Sequence, residues 1–297
     1  MTVLGRVLTA VVTPFSDDGA VNLEAFRRIC AYLLENGSDG VVVAGTTGEA
    51  PTLTDEEKLE LFAAAVEVAH ESGGTVVANT GTYSTAHSVH LTRDAHKLGV
   101  DGFLVVTPYY NKPPPQGIVA HYEAIAAVTD KPIVVYNIPQ RVVINLDPDL
   151  LIELAAIPNV RYVKQATPHL DQARRIVSES GLKLLAGNDE LLFPFLELGG
   201  TGGIFVYTHV VGPRVKELIE RFDAGDVDGA RAIDEELGPV IEALAVTTNP
   251  IPVKAAVNML GLEAGGLRLP LVEATDSEKA TVRSALERAG VLSSQPV

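Results

Sequence analysis

The sequence predicts an α/β protein, a (β/α)8 TIM barrel followed by a C-terminal helical extension. Three observations point to this fold class. Short runs of Val, Ile and Leu alternate with longer helical patterns, most of these runs are apolar on both faces, and the alternation stops after the eighth run. Strands that are apolar on both faces are typical of a parallel sheet covered by helices. We therefore expect residues 1–224 to form the barrel with its active site and residues 225–297 to form the extension.

The eight candidate strands are short and rich in β-branched residues. A doubly wound open sheet is the alternative, but such a sheet normally has fewer strands and a glycine-rich nucleotide-binding turn near its start. The segment GGTGG (199–203) precedes the last strand, so it predicts a helix end and a tight turn. The predicted strands are VLTAVVT (7–13), GVVVAG (40–45), TVVANT (75–80), GFLVVTP (102–108), PIVVYN (132–137), VRYVKQ (160–165), LKLLAG (182–187) and GGIFVY (202–207).

The helices between the strands carry recognisable start signals. Thr54 followed by Glu57 forms a capping box, Ser84 is a candidate N-cap, and Asp147 before Pro148 is the usual order of N-cap and first helical residue. After the eighth strand, four helical segments follow one another. The first of them can complete the barrel, and the rest form the extension.

Composition and charge restrict the classes of partner. The formal net charge is -15, and no block of basic residues exceeds the pair at 174–175, so we expect no nucleic-acid partner. The only cysteine, Cys30, lies on an amphipathic helical pattern and is expected to be a buried thiol, which suits a reducing compartment. No apolar run approaches the ~18 residues of a membrane span. We expect a cytoplasmic protein without a membrane partner.

Polar residues collect at the carboxyl ends of the predicted strands. In a (β/α)8 barrel the active site lies at these ends, in the loops that lead into the helices. These positions are therefore the candidate site residues. They are Thr46, Thr47 and Glu49 after strand 2, Tyr109 and Tyr110 after strand 4, Tyr136 and Arg141 after strand 5, Lys164 on strand 6, Gly187, Asn188, Asp189 and Glu190 after strand 7, and Ile204, Phe205 and Tyr207 on strand 8.

Lys164 carries the most specific chemistry in this set. A lysine inside a mostly apolar barrel loses hydration, which makes the neutral, nucleophilic amine available. Such an amine forms a Schiff base with a carbonyl substrate and stabilises a carbanion. Tyr136, one strand away, is the best placed hydroxyl for proton transfer, and Thr46 can link it to a second phenol. The alternative is a strand-end lysine whose head group reaches solvent.

The other candidates indicate a site for carboxylates. The loop at 45–48 has two hydroxyls and two glycines that expose backbone N–H groups, which suits a small carboxylate. Arg141 can clamp a second carboxylate through two hydrogen bonds, or it can be a surface ion-pair residue. Tyr109 and Tyr110 precede three prolines and can also form an oligomer contact. The seven histidines form no metal-ligand pattern, so no metal is expected.

Five motifs together resemble a known family. The chain is similar to the pyruvate-dependent class I aldolases, the family of the N-acetylneuraminate lyases, and within that family to its dihydrodipicolinate synthase branch. The resemblance covers nearly the whole chain. The motifs are GTTGEAPTLTDEEK, TPYYNKPPPQG, YNIPQR, VKQA and TNPIPVKAAVNMLG with GGLRLPLV.

The resemblance implies a lyase that condenses pyruvate with L-aspartate 4-semialdehyde to 4-hydroxy-tetrahydrodipicolinate, for lysine and diaminopimelate biosynthesis. It implies no cofactor beyond the covalent imine, and a homotetramer built as a dimer of tight dimers. The implied roles are Lys164 for the imine with pyruvate, Tyr136, Thr46 and Tyr110 for proton transfer with Tyr110 entering the neighbouring subunit, Thr47 for the pyruvate carboxylate, Arg141 for the carboxylate of the semialdehyde, and Gly187 and Ile204 for the pocket lining through their carbonyls.

The chain departs from the synthase pattern in the half of the pocket that receives the second substrate. Gln165 stands where an acidic residue is usual, and Phe205 where a small residue is usual. The possible second-substrate residues are Asn188, Asp189, Glu190 and Phe205. An aldolase for a 2-keto-3-deoxy sugar acid or N-acetylneuraminate, using the same imine, is the alternative, and a non-catalytic barrel that binds a keto acid is a third interpretation.

Lysine-inhibited synthases carry a histidine pair after the GTTGE loop, and an asparagine and a glutamate further on. Asp55, Lys58, Tyr83 and His87 occupy the matching positions in this chain. The resemblance therefore predicts an enzyme that lysine does not inhibit.

Overall fold

The computed structural model describes residues 3–293, and its centre is a closed barrel of eight parallel strands. Each strand pairs with the next along the chain, and the eighth closes the ring by pairing with the first. This confirms the predicted (β/α)8 fold. The strands are β1 Val7–Ala10, β2 Gly40–Val43, β3 Thr75–Asn79, β4 Gly102–Val106, β5 Ile133–Asn137, β6 Val160–Gln165, β7 Lys183–Ala186 and β8 Gly202–Phe205.

Helices surround this barrel and continue beyond it. The capping box of Thr54 and Glu57 and the N-caps Ser84 and Asp147 form as the sequence predicts. Within residues 3–293, no helix is both long enough and apolar enough to cross a membrane. The helices are α1 Leu23–Glu35, α2 Asp55–Glu71, α3 Thr85–Lys97, α4 Pro115–Ala126, α5 Pro139–Val142, α6 Pro148–Ala155, α7 Leu170–Arg175, α8 Leu192–Glu197, α9 Thr208–Asp223, α10 Val227–Leu244, α11 Ile251–Met259 and α12 Asp276–Arg288.

The helices α10, α11 and α12 follow the barrel, as expected for a C-terminal extension, and α10 packs against α9 and α12. The division of the chain at residues 224 and 225 stays a prediction.

Several strands end earlier than the sequence predicts. The first strand ends at Ala10 rather than at 13, and the last ends at Phe205 rather than at 207. The missing residues bond elsewhere: the Thr13 hydroxyl donates to the Gly48 carbonyl, and the N–H groups of Val206 and Tyr207 donate to the Asp189 carboxylate. The regular strand pairing therefore ends where the chain begins to form the loops of the site.

The two faces of each strand enter two different cores. Side chains inside the barrel form a small apolar cluster that includes Leu8, Val134, Tyr162 and Ile204. Side chains on the outer face, such as Val163, pack against the helices in the main core. Because side chains alternate along a strand, this division decides which polar residues face the interior of the barrel.

Candidate active site

A cavity of about 460 Å³ opens at the carboxyl ends of the strands. Its base consists of apolar side chains from inside the barrel, including Ala10, Val42 and Leu104, with Lys164 and Tyr136 beside them. Residues 241–249 of the C-terminal extension complete its rim at Ile241, Leu244, Ala245, Thr247, Thr248 and Asn249. The site is thus built from both parts of the chain.

Lys164 and Tyr136 lie side by side in this cavity. They are paired residues on β6 and β5, and both are buried, with exposed fractions of 6% and 5%. The amine Nζ lies 4.3 Å from the centroid of the Tyr136 ring. An amine that is screened from water and flanked by a phenol can attack a carbonyl carbon while the phenol moves protons.

The loop after β2 brings Thr46 and Thr47 to the same cavity. Thr46 is half-buried, and Thr47 is buried and accepts a hydrogen bond of 3.0 Å from the side-chain amide of Asn249. Ala44 and Glu49 at the two ends of the loop have φ angles of 52° and 56°, in the left-handed region that residues with a Cβ seldom adopt. The loop therefore has a fixed and unusual shape.

Arg141 lies at the mouth, on the short helix α5 that follows β5. Its side chain is exposed and donates a hydrogen bond of 3.2 Å to the backbone carbonyl of Asn249. This leaves most of the guanidinium donors free for an anion that enters the cavity.

The turn after β7 contributes Gly187, Asn188, Asp189 and Glu190 to the lining. A Cβ on Gly187 would come within 2.8 Å of Ala166, so only glycine fits there. The Asn188 amide donates to the Glu190 carboxylate at 3.0 Å, close to solvent. This turn leaves polar groups of Asn188 and Glu190 at the rim.

Asp189 has a structural role that the sequence did not predict. Its two carboxylate oxygens accept hydrogen bonds of 2.9 Å from the N–H groups of Val206 and Tyr207, which fixes the chain after β8. Burial raises the pKa of Asp189 to about 6, against the opposing effect of these two donors. Both oxygens are thus engaged by the protein itself.

The position of Phe205 on β8 differs from the prediction. Phe205 is fully buried on the outer face of the barrel, in the main core, with its ring centroid 5.3 Å from that of Tyr207. The prediction that Phe205 contacts a second substrate is therefore wrong. Its neighbour Ile204 faces inward and is buried in the inner cluster, and among residues 3–293 it is not part of the cavity lining.

Gln165 also points away from the cavity. It is fully buried, its side-chain oxygen accepts from the Asn137 amide at 3.0 Å, and its own amide donates to Thr167 at 3.0 Å. The unusual residue after Lys164 is therefore part of a hydrogen-bond network behind the site. It gives no reason to expect a different second substrate.

Tyr110 lies outside the cavity. Its side chain is 94% exposed and its φ angle is 68°. Tyr109 beside it is half-buried and packs edge-to-face on Tyr83 with ring centroids 5.3 Å apart. The fold of one subunit does not bring Tyr110 to Lys164, so its predicted role depends on a second copy.

A second cavity, of about 490 Å³, lies beside the first and shares Thr46, Tyr136, Ile138 and Arg141 with it. Its wall carries Asp55, which is 2.7 Å from His87 and 3.4 Å from Lys58. Burial opposes ionisation of Asp55, but His87 and Lys58 outweigh it and hold the pKa of the carboxyl below its usual value. The Asp55 carboxylate thus already has two partners, Lys58 and His87.

Sequence reasoning missed the residues that connect the extension to the site. Asn249 bonds to Thr47 and Arg141, and Lys254 forms an ion pair with Glu49. Both lie in the TNPIPVKAAVNMLG motif, which was the available signal. Their contacts could not be read from the sequence because their partners lie more than 100 residues away.

Comparisons with known proteins agree with this geometry. The sequence model of the dihydrodipicolinate synthetase family matches residues 3–289. The 4-hydroxy-tetrahydrodipicolinate synthase of Moorella thermoacetica is 49% identical over 290 residues, which cover 97% of this chain and 99% of that protein.

Two solved structures are closely similar. The DHDPS of Cyanidioschyzon merolae, solved with lysine bound, has a TM-score of 0.95 and 43% identity, covering 97% of this chain and 99% of that one. The chloride-inhibited dihydrodipicolinate synthase of Acinetobacter baumannii, solved with pyruvate, has a TM-score of 0.94 and 33% identity, covering 98% and 100%. The chain therefore belongs to the dihydrodipicolinate synthetase family.

Proposed function

We propose that the protein condenses pyruvate with L-aspartate 4-semialdehyde to form 4-hydroxy-tetrahydrodipicolinate, the first product on a route to diaminopimelate and lysine. The observation that carries the proposal is the buried amine of Lys164 beside Tyr136 at the active end of the barrel. The names of the relatives support the same reaction, since they are 4-hydroxy-tetrahydrodipicolinate synthases over nearly their full length.

The reaction begins at Lys164. Its Nζ attacks the C2 carbonyl of pyruvate, and loss of water leaves an iminium ion. Removal of a C3 proton gives an enamine, whose C3 forms a bond to the aldehyde carbon while the aldehyde oxygen takes up a proton. The amino group of the second substrate then displaces Lys164 from C2, which closes the ring. One water is released overall, and the free lysine returns without a cofactor.

The surrounding residues transfer protons and bind the two substrates. Tyr136 moves protons at C2 and C3, with Thr46 and the Tyr110 of a second copy as the rest of the relay. The Thr47 hydroxyl and the loop N–H groups bind the carboxylate of pyruvate, and Gly187 lines the same pocket. Arg141 binds the carboxylate of the semialdehyde. An aldehyde that carries a carboxylate suits this arginine better than a neutral sugar chain does.

The assembly we propose is a homotetramer, built as a dimer of dimers in which Tyr110 crosses the tighter interface. The exposure of Tyr110 supports this, as do the exposed apolar side chains of Tyr83 and Val143. Large exposed apolar side chains often mark contacts between subunits. We also propose a cytoplasmic location, because the one thiol, Cys30, is buried and no disulfide can form within the chain.

The proposal is tested by turnover with a panel of aldehydes at saturating pyruvate. We expect activity with L-aspartate 4-semialdehyde to exceed that with N-acetylmannosamine and with sugar-derived aldehydes. A preference for a sugar aldehyde would refute the proposed substrate and leave the imine chemistry intact. Failure of borohydride to trap pyruvate on Lys164 would refute the imine itself.

The control is a second lysine substitution on the neighbouring strand. Lys183 is exposed at the start of β7, at the opposite end of the barrel. Lys183→Ala is expected to keep both trapping and turnover, whereas Lys164→Ala is expected to abolish the adduct.

A further inference from the structure

The chain contains a fully buried ion pair that the proposed mechanism does not use. The Lys254 amine on α11 lies 2.7 Å from the Glu49 carboxylate, and each side chain is only 1% exposed. Removing two charges from water is unfavourable, and a buried pair is maintained only where its geometry and additional hydrogen bonds are good. Its position therefore requires an explanation.

The surroundings satisfy both charges. The second oxygen of Glu49 accepts the backbone N–H of Arg268 at 3.0 Å. The Phe15 ring lies between two cations, with its centroid 4.1 Å from the Lys254 amine and 4.4 Å from the Arg268 guanidinium. Such contacts over an aromatic face are attractive. Burial lowers the pKa of Lys254, an effect that Glu49 partly offsets.

Glu49 is also the last residue of the loop that holds Thr46 and Thr47. Its φ angle of 56° is unfavourable for a residue with a Cβ, and so is the 52° of Ala44 at the other end. Residues held in this region are strained, and they persist where the surrounding structure fixes them. The ion pair fixes this end of the loop, and the Asn79 amide fixes the other by donating to the Ala44 carbonyl at 2.8 Å.

The extension holds the same loop at a second point. Asn249, just before α11, donates from its side chain to the Thr47 hydroxyl at 3.0 Å. Its side-chain oxygen is buried and has no partner among residues 3–293, so this amide is oriented by its contact with Thr47. One short segment, 249–254, thus contacts both the hydroxyl that faces the cavity and the carboxylate that ends the loop.

We propose that Glu49, Lys254 and Asn249 are positioning residues, which hold the 44–49 loop of the barrel in the shape that receives the carboxylate of pyruvate. The inference rests on the proposed function, since it assigns the loop to pyruvate. Preorganised donors bind without the free-energy penalty of ordering the loop at each turnover. The C-terminal extension therefore acts on the first substrate, although Lys164 and Tyr136 both belong to the barrel.

The test is Lys254→Met, which keeps the length of the side chain and leaves Glu49 unpaired. We expect the pyruvate concentration for half-maximal borohydride trapping, and the KM for pyruvate, to rise about tenfold, equivalent to about 1.4 kcal/mol. The KM for the aldehyde is expected to stay within about twofold, because Arg141 is not attached to the pair. The double variant Glu49→Gln/Lys254→Met, which removes both charges and the contact between them, is expected to regain thermal stability but to keep the raised pyruvate requirement.

Two further variants keep the test decisive. Arg28→Met removes an exposed ion pair between α1 and Glu263, and is expected to leave the pyruvate dependence unchanged. Asn249→Ala, which buries no unpaired charge, is expected to raise the pyruvate requirement alone, and it carries the test if Lys254→Met does not fold. Variants that lose thermal stability but trap pyruvate with the wild-type concentration dependence would overturn the inference. Absence of trapping in the wild type would instead overturn the proposed function.

Discussion

Lys164 in the barrel and Lys254 in the extension are both buried, yet their surroundings differ in one decisive respect. Lys254 has a carboxylate at 2.7 Å and an aromatic face at 4.1 Å. Lys164 forms no ion pair with any of residues 3–293, and its nearest aromatic group is the phenol of Tyr136. The Lys254 amine is held by the carboxylate of Glu49, whereas the Lys164 amine lines the cavity, where a carbonyl substrate can reach it. The lesson is that burial alone does not make a lysine reactive.

Removing the unpaired amine should have the largest effect. Lys164→Ala is expected to lower kcat at least about 10⁴-fold, since loss of a covalent nucleophile has consequences of this size. The fold should be retained, because the side chain makes no ion pair within residues 3–293. Steady-state kinetics and circular dichroism measure the two properties. Substantial residual activity in a folded variant would contradict the assignment of the nucleophile.

Removing the phenol hydroxyl of Tyr136 should have the next largest effect on kcat. Tyr136→Phe keeps the ring at 4.3 Å from the amine but removes the proton donor, so we expect kcat to fall about 100-fold or more. The imine should still form slowly, which trapping with borohydride can measure. If Tyr136→Phe retained wild-type turnover, the proton transfer would have to use another group.

Asp189 gives a prediction for stability against pH. Burial raises the pKa of Asp189 from its usual 3.8 to about 6, so the folded state binds the proton more tightly. The contribution of this carboxyl to stability is therefore complete below about pH 4 and is lost as the pH rises through about 6. Asp189→Asn should remove about 2 kcal/mol of this pH dependence. Urea unfolding of both proteins from pH 4 to 7 measures it, and parallel curves would contradict it.

A substitution at Arg141 tests the binding of the second substrate separately from the binding of pyruvate. Arg141→Ala should raise the KM for L-aspartate 4-semialdehyde about thirtyfold, since a charge-assisted contact contributes about 2 kcal/mol. Pyruvate trapping should be unchanged. Initial rates with each substrate varied in turn separate the two effects. An equal rise in both constants would place Arg141 outside the second-substrate site.

The smallest expected effect is that of added lysine. Lys58 is a third buried lysine, paired with Asp55 on the wall of the second cavity, where His87 also bonds to Asp55. A lysine molecule bound in this cavity would place its ammonium groups close to Lys58 and His87. The Asp55 carboxylate could not readily bind them, because it already contacts both of these side chains. Activity is therefore expected to be unchanged in millimolar lysine. Strong inhibition by sub-millimolar lysine in the same assay would refute the prediction.

Much of this molecule could be read from its sequence. The apolar runs gave eight strands, and the rule that barrel sites lie at strand ends selected Lys164, Tyr136 and Thr46. The error at Phe205 was avoidable: because neighbours on a strand alternate, an inward Ile204 requires an outward Phe205, and an inward Lys164 requires an outward Gln165. The ends of the strands were overestimated because bonds to Asp189 and Gly48 are tertiary.

The connection between the extension and the site could not be predicted. Glu49 and Lys254 are 205 positions apart, and no local pattern distinguishes a lysine that pairs with a distant glutamate from one on a solvated helix face. The role of Tyr110 could not be tested for a different reason. Its backbone and exposure follow from one chain, but its partner belongs to a second copy.

The reactivity of the three buried lysines can be compared directly within one wild-type sample. The protein is incubated with pyruvate and borohydride, digested, and the peptides containing Lys58, Lys164 and Lys254 are measured by mass spectrometry. We expect a stoichiometric adduct on Lys164, with Lys58 and Lys254 unmodified. An adduct on Lys254, or none on Lys164, would contradict the claim that the unpaired amine in the barrel is the reactive one.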